Sequence, residues 1–190
     1  MLQMSHVSVL AVNGDEKAMV WVGLVGGQVI AKYWFLDPDN EEQNISCNSQ
    51  NYVAMLKSTL LPAMARRGDR DRLWYMQDGA PAHHSNHALS FLREKFGDQL
   101  IALGTKDNPI PVSWPPHSPE LNVCDYWLWS YLEMKVKKRK PNNRDELISF
   151  VDDEINRLSR SMVRRAVGHL RTRCELCVQE KGGHFQHLMK

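Results

Sequence analysis

Two aspartates stand where carboxylates can hold divalent metal ions. Asp78 closes the stretch Leu73-Trp74-Tyr75-Met76-Gln77 and is followed by Gly79-Ala80-Pro81, so it reads as an acid delivered by a strand into a tight turn. Asp125 falls in the opening turns of a helix whose start is marked by Ser118-Pro119. Hard cations such as Mg²⁺ and Mn²⁺ take oxygen ligands and keep several waters, which a few aspartates on rigid elements suit. Two such ions roughly 3.5–4 Å apart can position a nucleophile and stabilise a leaving oxygen in phosphodiester chemistry. Each residue alone has a plainer reading: Asp-Gly after a strand is a common turn, and an acid near a helix start favours the macrodipole.

Together the two motifs carry more. Gln77-Asp78-Gly79-Ala80-Pro81-Ala82-His83 and Ser118-Pro119-Glu120-Leu121-Asn122-Val123-Cys124-Asp125 resemble the QDGAPxH and the SPDLxPxD or SPDLNPxE motifs of Tc1/mariner-type transposases. Met19-Val20-Trp21-Val22-Gly23-Leu24 and the closing Gly182-Gly183-His184-Phe185-Gln186-His187-Leu188 extend the resemblance over most of the chain. It implies that Asp78 and Asp125 are the second and third acids of a DDE/D triad that binds Mg²⁺ or Mn²⁺. It implies that His83 neighbours the site, bonding a phosphate or orienting Asp78. DNA as partner, a homodimer, and a nuclear or otherwise intracellular location follow from the same resemblance. Asp78 and Asp125 are separated by 46 residues, more than is usual in mariner elements, and the Pro-rich connector 105–117 takes up the excess.

The first acid of the triad has no counterpart. Sixteen residues precede Lys17, and the earliest acid among them is Asp15, which aligns with the linker before the second strand. The chain therefore reads as a truncated or domesticated copy, with Asp15 an ordinary hairpin-turn residue. If Val7 to Val12 stands in for the missing central strand, Asp15 is instead a replacement metal ligand. Residues 1–70 also lack the paired short helices and basic face of a helix-turn-helix segment, so DNA contact would be non-specific. Three functions remain open: a transposase-derived nucleic-acid-binding domain with impaired cutting and joining, a catalytically dead scaffold or interaction protein, and a metal-dependent nuclease using Asp15.

Composition bounds these readings. The chain has 190 residues, 43% hydrophobic and 24% charged, enough for one well-buried domain and an appendage. It contains no long apolar run and no basic-then-apolar leader, so neither a membrane span nor secretion is expected. Residues 130–190 hold 14 Lys and Arg against 8 Asp and Glu, whereas residues 1–129 hold 10 against 14. The acidic part carries the two aspartates. The basic part carries Lys135, Lys137, Lys138, Arg139 and Lys140, which are either a solvated helix end or contacts to nucleic-acid phosphates. Cys174 and Cys177 form a CxxC without a partner pair and read as buried thiols at helical spacing, not as a zinc site. His83 and His87 have the spacing of a helical zinc pair but lack the intervening Glu of HExxH.

The elements that must position these residues follow from periodicity. Val7–Val12, Ala18–Val25 and Gln28–Leu36 read as a three-strand meander, turning at Asn13-Gly14 and Gly26-Gly27. A helix capped by Ser49 buries Tyr52, Val53, Leu56, Leu60 and Met64 and is kinked or shortened by Pro62. Then come a strand at Arg72–Asp78, a helix at Ala82–Phe96, a strand at Leu100–Leu103, an irregular connector, and a helix at Leu121–Arg139. Helices at Arg144–Leu158 and Met162–Glu180 close the chain. The order βββαβαβα is that of an α/β, ribonuclease H-like mixed sheet with flanking helices, spanning residues 1–140, with a C-terminal helical appendage at 141–190.

Overall fold

The computed structural model describes residues 2–4, 8–12, 16–40, 43–116, 118–181, 183 and 185. Its organising element is the ten-residue strand β3 (Glu16–Val25), buried from Val20 to Val25. Side chains alternate across a pleated strand, and here both sets are covered. Ala18, Val20, Val22 and Leu24 join one core with Leu128, Leu132, Leu147, Val151 and Val163. Trp21 and Val25 join another with Tyr52, Leu56, Leu60, Tyr75 and Leu92. A strand covered on both faces needs a continuous apolar run, and Val20-Trp21-Val22-Gly23-Leu24-Val25 supplies it.

Three strands pair antiparallel with β3. β1 (Leu2–Met4) meets it at Gly23–Val25 and β2 (Ser8–Val12) meets it at Glu16–Val20. β4 (Gln28–Trp34) returns through Gly26-Gly27 to the other edge. The expected meander is therefore present as β2-β3-β4, and β1 is an addition that Leu2-Gln3-Met4, without a β-branched residue, did not signal. β1 also lies against β5 (Tyr75–Met76). There the antiparallel sheet meets a parallel one in the order β5-β6-β7, formed with β6 (Leu100–Ala102) and β7 (Val112–Ser113). β7 lies inside the connector expected to be irregular; its two residues are both exposed, so it carries no hydrophobic pattern.

Helix α1 (Ser49–Met55) is capped by Asn48, not Ser49: the Asn48 carboxamide oxygen accepts from the Asn51 N–H at 2.8 Å. Tyr52, Val53, Leu56, Leu60 and Met64 are all buried, as their spacing predicts. Pro62 neither ends nor shortens the helix. A π turn at Leu56–Leu60 leads into α2 (Leu61–Ala65), with the Leu61 N–H reaching the Leu56 carbonyl. Pro62 then sits in the first turn of α2, where a missing N–H costs least. α3 (Asn86–Phe96) starts four residues later than expected, because Ser85 caps it and a turn occupies residues 81–84.

A second π turn, Cys124–Leu128, leads into α4 (Trp129–Arg139). α5 (Arg144–Asn156) packs on β2 and β3, and α6 (Arg160–Gly168) packs on β4, so residues of the 141–190 stretch share the core of the sheet. The single helix expected at 162–180 is broken after Gly168, and α7 (Leu170–Gln179) follows. Among the described residues no disulfide joins the cysteines. Cys124 is buried and Cys47 and Cys177 are half-buried, but Cys174 is exposed, which corrects the expectation of a buried CxxC. No helix among the described residues is long and apolar enough to cross a membrane.

Candidate metal centre and its buried support

Asp78 stands two residues beyond β5, in the turn that Gly79 makes possible. A Cβ at residue 79 would come within 2.7 Å of the Leu103 side chain, so the chain closes over Leu103 there because it has none. Within the turn, Asp78 Oδ1 accepts from the Ala80 N–H at 3.0 Å and lies 2.6 Å from His83 Nδ1. The Asp78 side chain is 13% exposed and that of His83 is 1% exposed. So short a contact to a carboxylate makes Nδ1 the protonated, donating nitrogen. Two donors on one oxygen fix the carboxylate plane, and with it the place of Oδ2.

His83 is itself held from below. Its ring lies 4.4 Å from that of Tyr52, centroid to centroid, and its carbonyl accepts from Gln77 Nε2 at 2.8 Å. Gln77 Oε1 in turn accepts from the Tyr52 hydroxyl at 2.7 Å, and the Tyr75 hydroxyl lies 2.8 Å from that of Tyr52. Because Tyr52 spends its one proton on Gln77, Tyr75 is the donor in the last pair. Tyr52, Tyr75, Gln77 and His83 are all buried. Sequence reading found His83 by its motif, but it took Tyr52 for a core residue and saw in Tyr75 only part of a strand.

The network also sets an alkaline limit to stability. Burial, then the Tyr75 neighbour and the Asp78 charge, hold the Tyr52 phenol well above its ordinary range. Burial raises Tyr75 likewise. Burial and the Asp78 carboxylate push the Cys47 thiol up to about 12. An acid whose pKa is raised by folding stays protonated in the fold while the unfolded chain ionises. Its contribution is complete below the unfolded value and is lost as pH rises above it. The urea midpoint is therefore expected to fall from about pH 9 upward, and Cys47→Ala should delay the fall toward the tyrosine range. A midpoint flat through that range would contradict this account.

Asp125 lies half-buried at the start of the second π turn. Asn122 shapes the entry: its Oδ1 accepts from the Cys124 N–H at 3.0 Å and its carbonyl accepts from the Tyr126 N–H at 2.9 Å. The Trp129 N–H then reaches back to the Cys124 carbonyl, adding one residue to the turn that carries the acid, a device common at functional sites. Met76, two residues before Asp78, and Leu121, four before Asp125, pack in one small cluster with Trp114 and Phe185. The two acid-bearing segments thus share a hydrophobic floor.

These oxygen donors suit Mg²⁺ or Mn²⁺ by type. Among the described residues, however, no three His, Cys, Asp or Glu are grouped so as to hold a metal ion. Asp78 and Asp125 alone, as two carboxylates, are fewer ligands than a cage for a pair of cations needs. Asp15 and the Asn13-Gly14 turn lie outside the described residues. Val12 and Glu16, which flank them, pair with each other at the opposite end of β3 from Gly23–Val25, where β1 joins.

The other polar residues divide. His84 Nδ1 donates to the Gly79 and Ala80 carbonyls at 2.9 and 3.0 Å and closes the turn. His83 precedes α3 and His87 is exposed on it, so they form no helical pair. In the basic run, Lys137 bonds Glu133 at 2.6 Å. Arg139 reaches Asp153 at 2.8 Å and Glu154 at 3.7 Å and covers the Phe150 ring. Lys135 lies over the Tyr131 ring, while Lys138 and Lys140 are exposed.

By sequence, no protein-family model matches this chain and no curated protein matches it. By structure, it is similar to the catalytic domain of Mos1 mariner transposase, with a TM-score of 0.75 at 17% identity over 95% of this chain and 82% of that one. The same catalytic domain with Raltegravir and Mg gives 0.74 at 17% identity, over 95% and 83%. The Mos1 paired-end complex with the left transposon end gives 0.72 at 19% identity, over 96% of this chain and 48% of the Mos1 chain. The chain has the ribonuclease H-like fold of a mariner transposase catalytic domain.

Proposed function

We propose that this protein is a transposase-derived, nucleic-acid-binding domain of the Tc1/mariner type, with DNA as its partner and its cutting and joining chemistry impaired. The observation that supports this best is Asp78: on the fold shared with Mos1, the acid of the QDGAPxH-like motif follows β5 and is fixed by His83, the histidine of that motif. Solved Mos1 structures contain Mg, Mn and transposon ends. By that likeness Asp78 and Asp125 are the residues that would bind Mg²⁺ or Mn²⁺ here, supplying Lewis-acid chemistry when the cation is held. Lys135, Lys137, Lys138, Arg139 and Lys140 would contact phosphates, two copies would pair on DNA, and the protein would act in the nucleus.

The test is fluorescence anisotropy with a labelled DNA duplex across a salt series. Binding without sequence preference is expected, falling steeply with salt. Lys138→Gln with Lys140→Gln should lower the log–log slope by about 2, roughly 0.9 for each phosphate contact. Lys137→Gln should do less, because that ammonium already bonds Glu133. Lack of any salt-dependent DNA binding would favour the rival reading, a scaffold that has kept the fold alone.

A further inference from the structure

A second cationic surface lies where α6 meets the β3–β4 turn. Arg160 and Arg164 are one turn apart on α6, both exposed, and among the described residues neither is ion-paired. A neutral group holds the first of them. With its amide oxygen toward α6, Gln28 accepts from Arg160 Nε at 2.7 Å and also from Nη2. Gly27, at φ +108°, brings the β3–β4 turn so close that a Cβ there would lie 3.1 Å from both the Arg160 carbonyl and Arg164 Cβ. The helix and hairpin therefore fix where the guanidinium groups begin and leave their charge uncompensated.

The surroundings keep that charge available. Two adjoining concavities, of about 350 and 520 Å³, share Gly27, Gln28 and Arg160. The first is also lined by Arg164, Arg67 and Asp69, but Asp69 is spent on Arg67, whose Nε and Nη2 bond its two oxygens at 2.8 and 2.7 Å. The second is lined by Lys32, which is paired with Asp152. A net excess of two guanidinium groups remains around a polar hollow. Arginine presents fixed donor pairs that match phosphate oxygens.

We infer that the hollow flanked by Arg160 and Arg164 is a phosphate-binding site that takes the backbone of a nucleic acid. Leu73 lines it and precedes β5, whereas Asp78 follows that strand, so the site opens about 16 Å of strand away from the acid. No residue of the 135–140 run lines it. The choice of nucleic acid as ligand rests on the function proposed above; the anion site does not.

Two probes separate these claims in the full chain. In the first, binding of a labelled DNA duplex is followed by anisotropy for the wild type, Arg160→Gln/Arg164→Gln, and Arg160→Lys/Arg164→Lys. The glutamine pair should weaken binding several-fold and lower the salt slope by about 2, and the lysine pair should keep most of the slope. In the second, the Gly27 and Gln28 amide resonances are followed as inorganic pyrophosphate is added. They should move in the wild type and stay still in the glutamine pair, whose melting temperature should match the wild type. DNA binding untouched by the arginine changes, with silent resonances, overturns the inference and leaves the function standing. Resonances that respond to pyrophosphate in a protein that binds no DNA keep the anion site and sink the nucleic-acid reading.

Discussion

Asp78→Ala is expected to lower Mn²⁺ affinity, measured by the loss of free-ion EPR signal, by about tenfold or more, and His83→Ala should cost about tenfold with every carboxylate still in place. The carboxylate is held in one orientation by the fold. The Ala80 N–H and the His83 ring both bond Oδ1, and Tyr52 and Gln77 hold His83 in turn. Removing the ring frees the carboxylate plane, and a cation then has to order its own ligand. Asp125→Ala should weaken binding in the same direction.

Asp15→Ala should leave Mn²⁺ binding unchanged. The described residues that flank it, Val12 and Glu16, pair at the end of β3 away from Gly23–Val25. That is on the order of 20 Å of strand from where β1 lies against β5. With two carboxylates the mutual repulsion of two cations is poorly offset, so Mg²⁺-dependent nicking of supercoiled plasmid should not rise above the blank. Robust nicking lost in Asp15→Ala as well as in Asp78→Ala and Asp125→Ala would make Asp15 the third acid and overturn the impaired-site reading.

What the sequence made legible was whatever follows from local pattern. β3 could be seen because a run of six residues, buried on both faces, must be apolar without alternation. The buried face running from α1 into α2 could be seen because Tyr52, Val53, Leu56, Leu60 and Met64 keep helical spacing through the π turn. Asp78 could be seen because a strand followed by Gly79-Ala80-Pro81 reads as a turn that presents the acid, and His83 only because it matches the motif. Long-range partners could not be read. Tyr52 supports His83 from 31 positions earlier in the chain. Arg139 is committed to Asp153 and Glu154, so a run that looks like five open charges is partly neutralised. Arg160 and Arg164, by contrast, remain open: the neutral Gln28 that receives Arg160 lies 132 positions earlier in the chain. The helix break after Gly168 did have a local signal, a glycine that a continuous helix would not favour.

Deleting residues 1–12 is expected to abolish cooperative unfolding, read as the loss of a single sharp transition in a far-UV circular dichroism melt and the appearance of aggregates on gel filtration. β1 and β2 together pair with eight positions of β3, and Leu10 is buried in the core with Val20, Val22 and Leu24. Without them one edge of β3 is left open, a long apolar strand with unpaired backbone donors, which is the kind of edge that associates with other chains. The cost is not confined to that edge. β1 is the strand that lies against β5, so its removal parts the antiparallel sheet from the parallel one that leads to Asp78. A second variant, Leu10→Asp, distinguishes a lost edge from a lost core contact: a charge placed among Val20, Val22 and Leu24 should destabilise by several kcal/mol while leaving the backbone pairing available. A truncated chain that melts in one transition within a few degrees of the full protein would show that β5 finds its place without β1, and that the strand standing at the centre of the fold is dispensable to it.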